Sequence, residues 1–265
     1  MTQSRTLDRE AGSQAINDSI REYWNERIHD MEIARHPVGT KGFFEDLDEY
    51  RFEKLDYLPR VVDFGSYAGK KMLEIGCGVG TDLARFAGKG AIVTGVDLAE
   101  TSIKLAQANF EHNGLEADFR VMDGENLEFA DGQFDVVYAH GVLQYANGSQ
   151  RMIDEARRVL KPGGEGIFMV YNTYSWLYLL SKVSGAALEH EDAPVFKTFS
   201  IKQFKQMLSG FSRVEIIPER FPVKTRLHKG LKAKVYNTGF VGTFNLIPKF
   251  MIRRFGWHIM AKVTK

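Results

Sequence analysis

A short apolar run that ends in a glycine-rich turn is the feature that most constrains how this chain can fold. The run covers Met72–Ile75, and an amphipathic stretch follows at Asp82–Ala87. Between them stand three glycines at every second position, Gly76, Gly78 and Gly80. Glycine permits a tight turn and a close approach of the backbone to a ligand. The pattern therefore predicts a strand, a ligand-binding turn and a helix in succession.

Two acidic residues strengthen this prediction, because each follows a predicted strand. Asp97 directly follows the predicted strand Ala91–Val96, and Asp123 directly follows the predicted strand Phe119–Met122. An acid at the end of the second strand can accept hydrogen bonds from the ribose hydroxyls of a nucleoside. We expect Asp123 to meet an exocyclic adenine amine. A nicotinamide or flavin dinucleotide is disfavoured, because the turn does not contain Gly-x-Gly-x-x-Gly.

Apolar runs and helical patterns alternate from residue 70 onward. Strands are predicted at 72–75, 91–96, 119–122, 134–138, 166–171, 214–217 and 257–261. Helical patterns at 101–112, 149–160 and 174–184 separate several of them, and Lys161–Gly164 is a predicted stop after the second of these. Two further helical patterns, at 15–36 and 43–64, precede the first strand. Such alternation favours right-handed crossovers and a parallel sheet covered on both faces. The predicted fold class is therefore α/β, with a doubly wound, Rossmann-like sheet.

Composition excludes several classes of protein. The chain has 265 residues, of which 44% are hydrophobic and 26% charged, as is usual for globular proteins. Its one cysteine, Cys77, excludes an intramolecular disulfide framework and a multi-cysteine metal site. We expect a reduced, cytoplasmic environment, since the N-terminal residues lack the apolar segment of a signal peptide.

Taken together, the motifs resemble those of class I S-adenosylmethionine-dependent methyltransferases, and among these the small-molecule, quinone C-methylase-like group. The resemblance covers about residues 70–172 and depends on five segments, Leu73–Gly80, Gly95–Leu98, Asp123–Gly124, Phe134–Tyr138 and Arg158–Gly164. It implies a seven-stranded, mostly parallel sheet whose last strand is antiparallel. It also implies S-adenosylmethionine as the cofactor. The implied reaction is in-line methyl transfer to carbon or oxygen of a small lipophilic, phenolic or anionic acceptor.

The same resemblance assigns the cofactor site by motif position. The glycine turn and Glu74 would lie near the methionine moiety, Asp97 at the ribose and Asp123 at the adenine. His140, after the fourth strand, would line the floor near the sulfonium. The complete predicted cofactor-binding set is Tyr23, Glu74, Gly76, Cys77, Gly78, Gly80, Asp97, Leu98, Asp123, Gly124, Glu125, His140 and Gly141. No metal site is predicted.

A phenol or alcohol acceptor requires a general base. The candidates are His36, His140, Tyr145 and His190. His140 is the predicted catalytic residue because it directly follows the fourth strand, and a packing role is its alternative. Tyr23, with the adjacent Trp24, either covers the cofactor or packs within the N-terminal helices.

The regions outside the motifs carry the expected acceptor specificity. We expect an N-terminal helical cap at residues 1–68, the cofactor-binding core at 69–172 and a C-terminal part at 173–265 with an insert at 219–256. From residue 219 onward, eleven lysines and arginines accompany a single acid, Glu219. The basic, aromatic insert could line an acceptor pocket, or residues 220–256 could dock on an anionic membrane. The alternatives are a nucleic-acid methyltransferase that uses this basic tail, and a cofactor-binding scaffold without turnover.

Overall fold

The structure, a computed structural model, describes residues 2–185, 187–222, 230–231, 234, 236–244, 246–248 and 252–265. Its strands are β1 Lys71–Ile75, β2 Ile92–Asp97, β3 Asp118–Val121, β4 Phe134–His140, β5 Leu160–Tyr171, β6 Arg213–Glu219 and β7 His258–Thr264. Its α-helices are α1 Thr2–Glu26, α2 Lys41–Lys54, α3 Leu58–Val61, α4 Thr81–Ala87, α5 Glu100–His112, α6 Ser149–Val159, α7 Trp176–Ser184, α8 Ile201–Met207 and α9 Val241–Phe244. Short 3₁₀ turns cover Met31–Ile33, Phe64–Tyr67 and Arg253–Phe255, and a π-helical turn covers Tyr236–Phe240.

The strands form one sheet in the order β3-β2-β1-β4-β5-β7-β6. Strands β1 to β5 pair in parallel, whereas β7 pairs antiparallel with both β5 and β6. The predicted α/β, Rossmann-like and mostly parallel sheet of seven strands is therefore confirmed, as is its antiparallel last strand. The strand order reverses between β1 and β4, and open α/β sheets bind ligands at such a switch point.

Both faces of the central strands are buried, which explains their almost continuous apolar sequence. Met72 belongs to a core cluster with Phe86 and Tyr138, whereas its neighbour Leu73 belongs to a second cluster with Val137. Successive side chains of a strand point to opposite faces. Helices therefore cover the sheet on two sides, and the carboxyl ends of the strands remain available for a site.

The first helix ends ten residues before its sequence pattern predicts, at Glu26 instead of residue 36. The pattern over residues 15–36 contains no break before His36, yet α1 ends at Glu26. Asp30 adopts a left-handed backbone with φ 59°, and its buried carboxylate accepts a hydrogen bond from Lys54 Nζ at 2.8 Å. This tertiary ion pair fixes a turn that local sequence does not encode.

Two further elements differ from their predictions for local reasons. The helix predicted over 43–64 divides into α2 and α3, because Pro59 cannot continue a helix from α2 and instead stands in the first turn of α3. The predicted stop at Lys161–Gly164 lies inside β5 instead of a loop. There the pairing of β5 with β4 shifts register between Phe134 and Val136, as in a β-bulge. The domain divisions at 68/69 and 172/173 stay predictions.

Candidate active site

A cavity of about 210 Å³ opens at the carboxyl edge of the parallel strands. Residues at or beside the ends of all seven strands line it, among them Gly76, Asp97, Asp123, His140, Tyr171, Arg220 and His258. The N-terminal segment contributes a facing wall that includes Asn17 and His29. The switch point between β1 and β4 therefore lies under a cavity that both the sheet and the N-terminal segment enclose.

The glycine turn after β1 begins with a residue that must be glycine. Gly76 has φ +70°, and a Cβ on it would stand 2.7 Å from Val142 Cβ. Both Gly76 N and Cys77 N donate to Val96 O, at 2.8 and 3.0 Å. The turn is therefore tied to β2 and pressed against the segment after β4, which brings its backbone to the cavity.

Asp97 joins the end of β2 to this turn. Its Oδ2 accepts a hydrogen bond from Gly78 N and its Oδ1 accepts one from Ala99 N, both at 2.9 Å. Burial raises the pKa of Asp97, although these backbone donors oppose the shift. A carboxylate oxygen can accept more than one hydrogen bond. Asp97 can thus hold the turn and still accept from a ligand hydroxyl in the cavity.

Asp123 connects the end of β3 to the first helix. Its Oδ2 accepts from Asn17 Nδ2 at 2.9 Å, and its Oδ1 accepts from Glu125 N at 2.8 Å. Burial raises the pKa of Asp123. Glu125 in turn pairs with the exposed Arg151. The acidic loop is therefore ordered from both sides, and α1 closes the cavity above it.

Two polar atoms that line the cavity are buried and have no hydrogen-bond partner, Glu74 Oε2 and Asn17 Oδ1. Asn17 Oδ1 is an acceptor, and so is Glu74 Oε2 when the carboxyl is ionised; a buried acceptor without a donor is costly. Burial, together with the nearby Asp82 carboxylate, raises the pKa of Glu74 well above its usual value. These atoms fit a ligand that brings an N–H donor to each of them.

A buried ion pair supports the floor of the cavity. The Arg51 guanidinium donates two hydrogen bonds to the Asp82 carboxylate, which also accepts from Tyr138 Oη at 2.7 Å. Burial alone would raise the pKa of Asp82, but the guanidinium holds it below the usual value. Arg51 also reaches His140 Nδ1 at 3.2 Å. The pair therefore fixes the end of β4 relative to α2 and α4.

The predicted base, His140, is engaged at both ring nitrogens. Arg51 donates to Nδ1, so the Nε2–H must donate to Tyr57 Oη, 3.1 Å away. His258 Nδ1 lies 2.6 Å from the same hydroxyl, which can itself donate to Met260 Sδ. Burial and Arg51 lower the pKa of His140 to about 3. The geometry favours a packing role for His140, and its catalytic assignment stays a prediction.

The far end of the cavity is a buried cluster of charges. Lys54 Nζ lies 2.7 and 2.8 Å from the two oxygens of Glu189 and 2.8 Å from Asp30 Oδ1. Arg220, in a left-handed conformation with φ 58°, aims its guanidinium inward to His258 Nε2 at 2.9 Å. Tyr145 and Tyr171 provide aromatic walls. This end suits a polar aromatic molecule.

Most of the predicted cofactor residues meet at this cavity. It is lined by Glu74, Gly76, Cys77, Gly78, Asp97, Leu98, Asp123, Gly124, Glu125, His140 and Gly141. Gly80 and Tyr23 do not line it. Gly80 precedes α4 in a left-handed conformation, and Tyr23 directs its hydroxyl to Asp192 at 2.8 Å. Trp24, beside Tyr23, does line the cavity.

The other base candidates have different surroundings. His36 is bound to Asp46 outside the cavity. Tyr145 is buried in it and contacts Tyr171 Oη at 3.3 Å. His190 contacts His29, a cavity residue that the sequence analysis did not identify. Of the predicted basic insert, residues 223–229, 232–233, 235, 245 and 249–251 lie outside the described residues.

Several functional candidates were missed because they lie outside any motif. They are Asn17, His29, Asp30, Arg51, Lys54, Asp82, Glu189 and His258, whereas Arg220 belongs to the insert predicted at residues 219–256. Only Asp82 had a usable signal, since it stands in the first helical turn after the glycines. The others reach the cavity through tertiary contacts. Within the described part of the chain, no helix is both long enough and apolar enough to cross a bilayer.

Sequence comparisons show a similarity between part of this chain and known methyltransferases. Residues 73–168 match a protein-family model described as a methyltransferase domain. The chain is 35% identical over 141 residues to the ubiquinone biosynthesis O-methyltransferase of Chromobacterium violaceum, covering 53% of this chain and 60% of that protein. With the Pseudomonas putida protein of the same name it shares 36% over 152 residues, covering 57% and 64%. The chain thus spans less than two thirds of either relative.

Solved structures share the fold at lower identity. Magnesium protoporphyrin IX methyltransferase from Synechocystis PCC 6803 aligns with a TM-score of 0.58 and 16% identity, over 93% of this chain and 98% of that one. The [4+2]-cyclase SpnF aligns with a TM-score of 0.56 and 18% identity, over 96% and 94%. Such identities establish the fold alone, and one fold can host different chemistries. The family resemblance seen in the motifs is confirmed by the family match.

Proposed function

We propose that the protein transfers a methyl group from S-adenosylmethionine to a hydroxyl oxygen of a small phenolic acceptor. The match of residues 73–168 to a methyltransferase-domain model supports this proposal. The observation that carries this proposal is the convergence of the glycine turn, Asp97 and Asp123 on one cavity at the switch point of the sheet. Nucleoside ligands bind α/β sheets at that place.

The unpartnered acceptors support the cofactor. Glu74 Oε2 would receive the ammonium of the methionine moiety, and Asn17 Oδ1 would receive the adenine amine. Asp97 would accept from the ribose hydroxyls while it keeps Gly78 in place. Each donor of the ligand would thereby relieve a buried acceptor that is otherwise left without a partner.

Bound S-adenosylmethionine would supply an activated methyl group on a sulfonium centre. The protein's own contribution is to orient the acceptor in line and to exclude water. Trp24 and Ile20 of the N-terminal segment line the cavity opposite the strand ends and provide that exclusion.

The far end of the cavity supports a phenolic acceptor. Tyr145, Tyr171 and Met169 provide apolar and aromatic walls, and Arg220 and Lys54 provide cations that suit an ionising hydroxyl. The two curated relatives are named for O-methylation in ubiquinone biosynthesis. We therefore favour oxygen over carbon as the methylated atom.

The remaining predictions concern nucleic acid, an anionic membrane and the location in the cell. A nucleic-acid methyltransferase gains no support from the relatives. Contact of residues 220–256 with an anionic membrane stays a prediction, which co-sedimentation with phosphatidylglycerol vesicles tests. A cytoplasmic location also stays a prediction.

Two measurements test the proposed function. Calorimetric titration with S-adenosylmethionine and with S-adenosylhomocysteine should give saturable, single-site binding. Incubation with S-adenosylmethionine and a panel of catechols should give products heavier by one methyl group. Absence of cofactor binding would refute the proposal, and products methylated on ring carbon would refute the choice of oxygen.

A further inference from the structure

A chain of hydrogen bonds leads from the cavity to the protein surface. His29 lines the cavity, and its Nδ1 lies 2.9 Å from His190 Nε2. His190 Nδ1 lies 3.1 Å from Tyr23 Oη, which donates to Asp192 Oδ1 at 2.8 Å. The Asp192 side chain is 65% exposed. The chain therefore has one end in the cavity and the other in solvent.

Along this chain of hydrogen bonds there is one proton fewer than there are pairs of neighbouring groups to be bridged. On the cavity side, His29 Nε2 lies 3.3 Å from Glu189 Oε1 and 3.5 Å from Asp30 Oδ2. Four neighbouring pairs, from Asp192 to Glu189, therefore each need one bridging proton. Neutral Tyr23, His190 and His29 hold one proton each. Three protons cannot fill four positions, so one nitrogen has a free lone pair.

The directions of the bonds place that lone pair on the cavity side. Tyr23 Oη donates its one proton to Asp192 Oδ1, the nearer of its two partners at 2.8 Å against 3.1 Å for His190 Nδ1. His190 must then donate Nδ1–H to Tyr23 and accept at Nε2. His29 must donate Nδ1–H to His190, which leaves His29 Nε2 without a proton.

We propose that His29 is the general base of the reaction, with His190 and Tyr23 as positioning residues that carry the proton to Asp192. The inference rests on the proposed O-methylation. The acceptor hydroxyl gives its proton to His29 Nε2. The electron pair of the broken O–H bond forms the new O–C bond, and the electrons of the broken C–S bond stay on sulfur. His29 then passes its Nδ1 proton to His190, and the chain delivers one proton to solvent.

The surroundings of His29 suit this role. The groups that face it and its carboxylates are Arg27 and Asp30 of its own segment, Tyr50 and Lys54 of α2, Glu189 and His190 after α7, and Arg220 after β6. Asp30 and Glu189 can stabilise the imidazolium formed by proton transfer. Lys54 donates to both Glu189 oxygens, and its positive charge offsets part of the attraction of Glu189 for a proton on His29 Nε2.

Two other assignments fit less well. His140 has both nitrogens engaged within the buried network described above. His29, Glu189 and His190 are spaced closely enough to face a metal ion, but Lys54 and Arg220 already place two positive charges beside Glu189. These two cations balance the charges of Asp30 and Glu189, so the cluster has no net negative charge that would attract a divalent metal ion. We therefore assign a proton, and no metal ion, to this cluster.

The tautomers of the histidines give a test that is independent of turnover. Two-dimensional ¹H–¹⁵N spectra of histidine-labelled protein, at a pH where exposed histidines are neutral, should show both His29 and His190 protonated on Nδ1. His112 is an internal control, because its Nε2 faces Gly39 O at 3.0 Å and should carry the proton. Variants H29Q and H190Q identify the signals. Protonation of His190 on Nε2 would overturn the relay, and dialysis against EDTA should change nothing.

Turnover of two acceptors tests the base itself. Catechol must lose a proton during methylation, whereas 4-nitrocatechol is already ionised near neutral pH. We expect H29Q to lower kcat for catechol by about 10²–10⁴-fold but for 4-nitrocatechol by less than about tenfold, with H112Q unchanged for both. Equal losses for the two acceptors would overturn the assignment of His29. Failure of the wild-type protein to methylate either would instead count against the proposed function, and the tautomer measurement would still decide the relay.

Discussion

Gly78 N donates a hydrogen bond to Asp97 Oδ2 at 2.9 Å, so the acid at the end of β2 holds the glycine turn at the end of β1. From the sequence, Gly78 was expected near the methionine moiety of the cofactor and Asp97 at its ribose, and no contact between the two residues was predicted. Their direct contact means that Asp97 shapes the binding surface in addition to offering an acceptor to the ribose.

Replacement of Asp97 should therefore affect binding in two graded steps. Asp97→Ala removes both roles and should weaken S-adenosylmethionine binding by about 1–3 kcal/mol, or roughly 5–150-fold in Kd. Asp97→Asn keeps one oxygen for Gly78 and should lose less. Calorimetric titration measures both, with D118A on the exposed start of β3 as the control. Unchanged affinity in D97A would remove Asp97 from the site.

We expect Glu74 to lower the stability of the ligand-free protein and to strengthen the binding of S-adenosylmethionine. Burial raises its pKa, so as the pH rises the unfolded chain gives up the proton that the folded protein retains, and stability falls. Glu74→Gln should raise the melting temperature of the ligand-free protein, and the gain should grow from pH 5 to pH 8. The same variant should bind S-adenosylmethionine more weakly. A melting difference that is independent of pH would contradict this account.

Gly76 should tolerate no side chain. Gly76→Ala forces a left-handed alanine, which costs about 1–3 kcal/mol, and adds a contact with Val142. In the double variant G76A/V142A the contact is removed and only the backbone strain remains. In urea unfolding, the double variant should therefore have a higher free energy of unfolding than the sum of the two single losses predicts. Simple additivity would show that the contact with Val142 does not matter.

The Arg51–Asp82 pair should show the asymmetry of a buried ion pair. Either R51M or D82N should destabilise the protein by about 3–5 kcal/mol, because one charge stays buried without its partner. The lowered pKa of Asp82 means that its contribution is present above the usual aspartate value and is lost as the pH falls through the lowered one, so the effect of D82N should shrink in acid.

A matched surface pair provides the control for that experiment. Arg85 and Asp48 are also joined by two hydrogen bonds but are 41% and 38% exposed. A double-mutant cycle at this pair should give a coupling energy below about 1 kcal/mol. A larger coupling at the surface than at Arg51–Asp82 would refute the role assigned to burial.

The sheet and the part of the cavity lined by the glycine turn, Asp97 and Asp123 were predictable because their signals are local in sequence. A strand, a glycine turn and a following acid occur within a few residues of one another, and parallel strands bring their carboxyl ends to one edge. The exact helix ends were less predictable. The end of α1 depends on Asp30 meeting Lys54, a contact that no local pattern encodes.

The opposite end of the cavity, around Glu189 and Arg220, could not be predicted, because its contacts join residues that are distant in sequence. Glu189 and Arg220 come from connections, and His29 from a turn that the helical pattern concealed. Each reaches the cavity only through long-range ion pairs and hydrogen bonds. His140, which the motif made prominent, is held within a buried network of Arg51 and Tyr57. Position after a strand predicted where it lies but not what it does.

The placement of β7 between β5 and β6 has a consequence for how the protein is made. β7 follows both of its neighbours in the chain and is therefore synthesised after them, yet among the described strands β6 pairs with β7 alone. Until it inserts, β6 has no partner in the sheet and His258 cannot join Arg220 and Tyr57. The strand ends that carry Asp97 and Asp123 can therefore assemble before β7 is made, whereas the end of the cavity around Arg220 and His258 is completed only when β7 inserts.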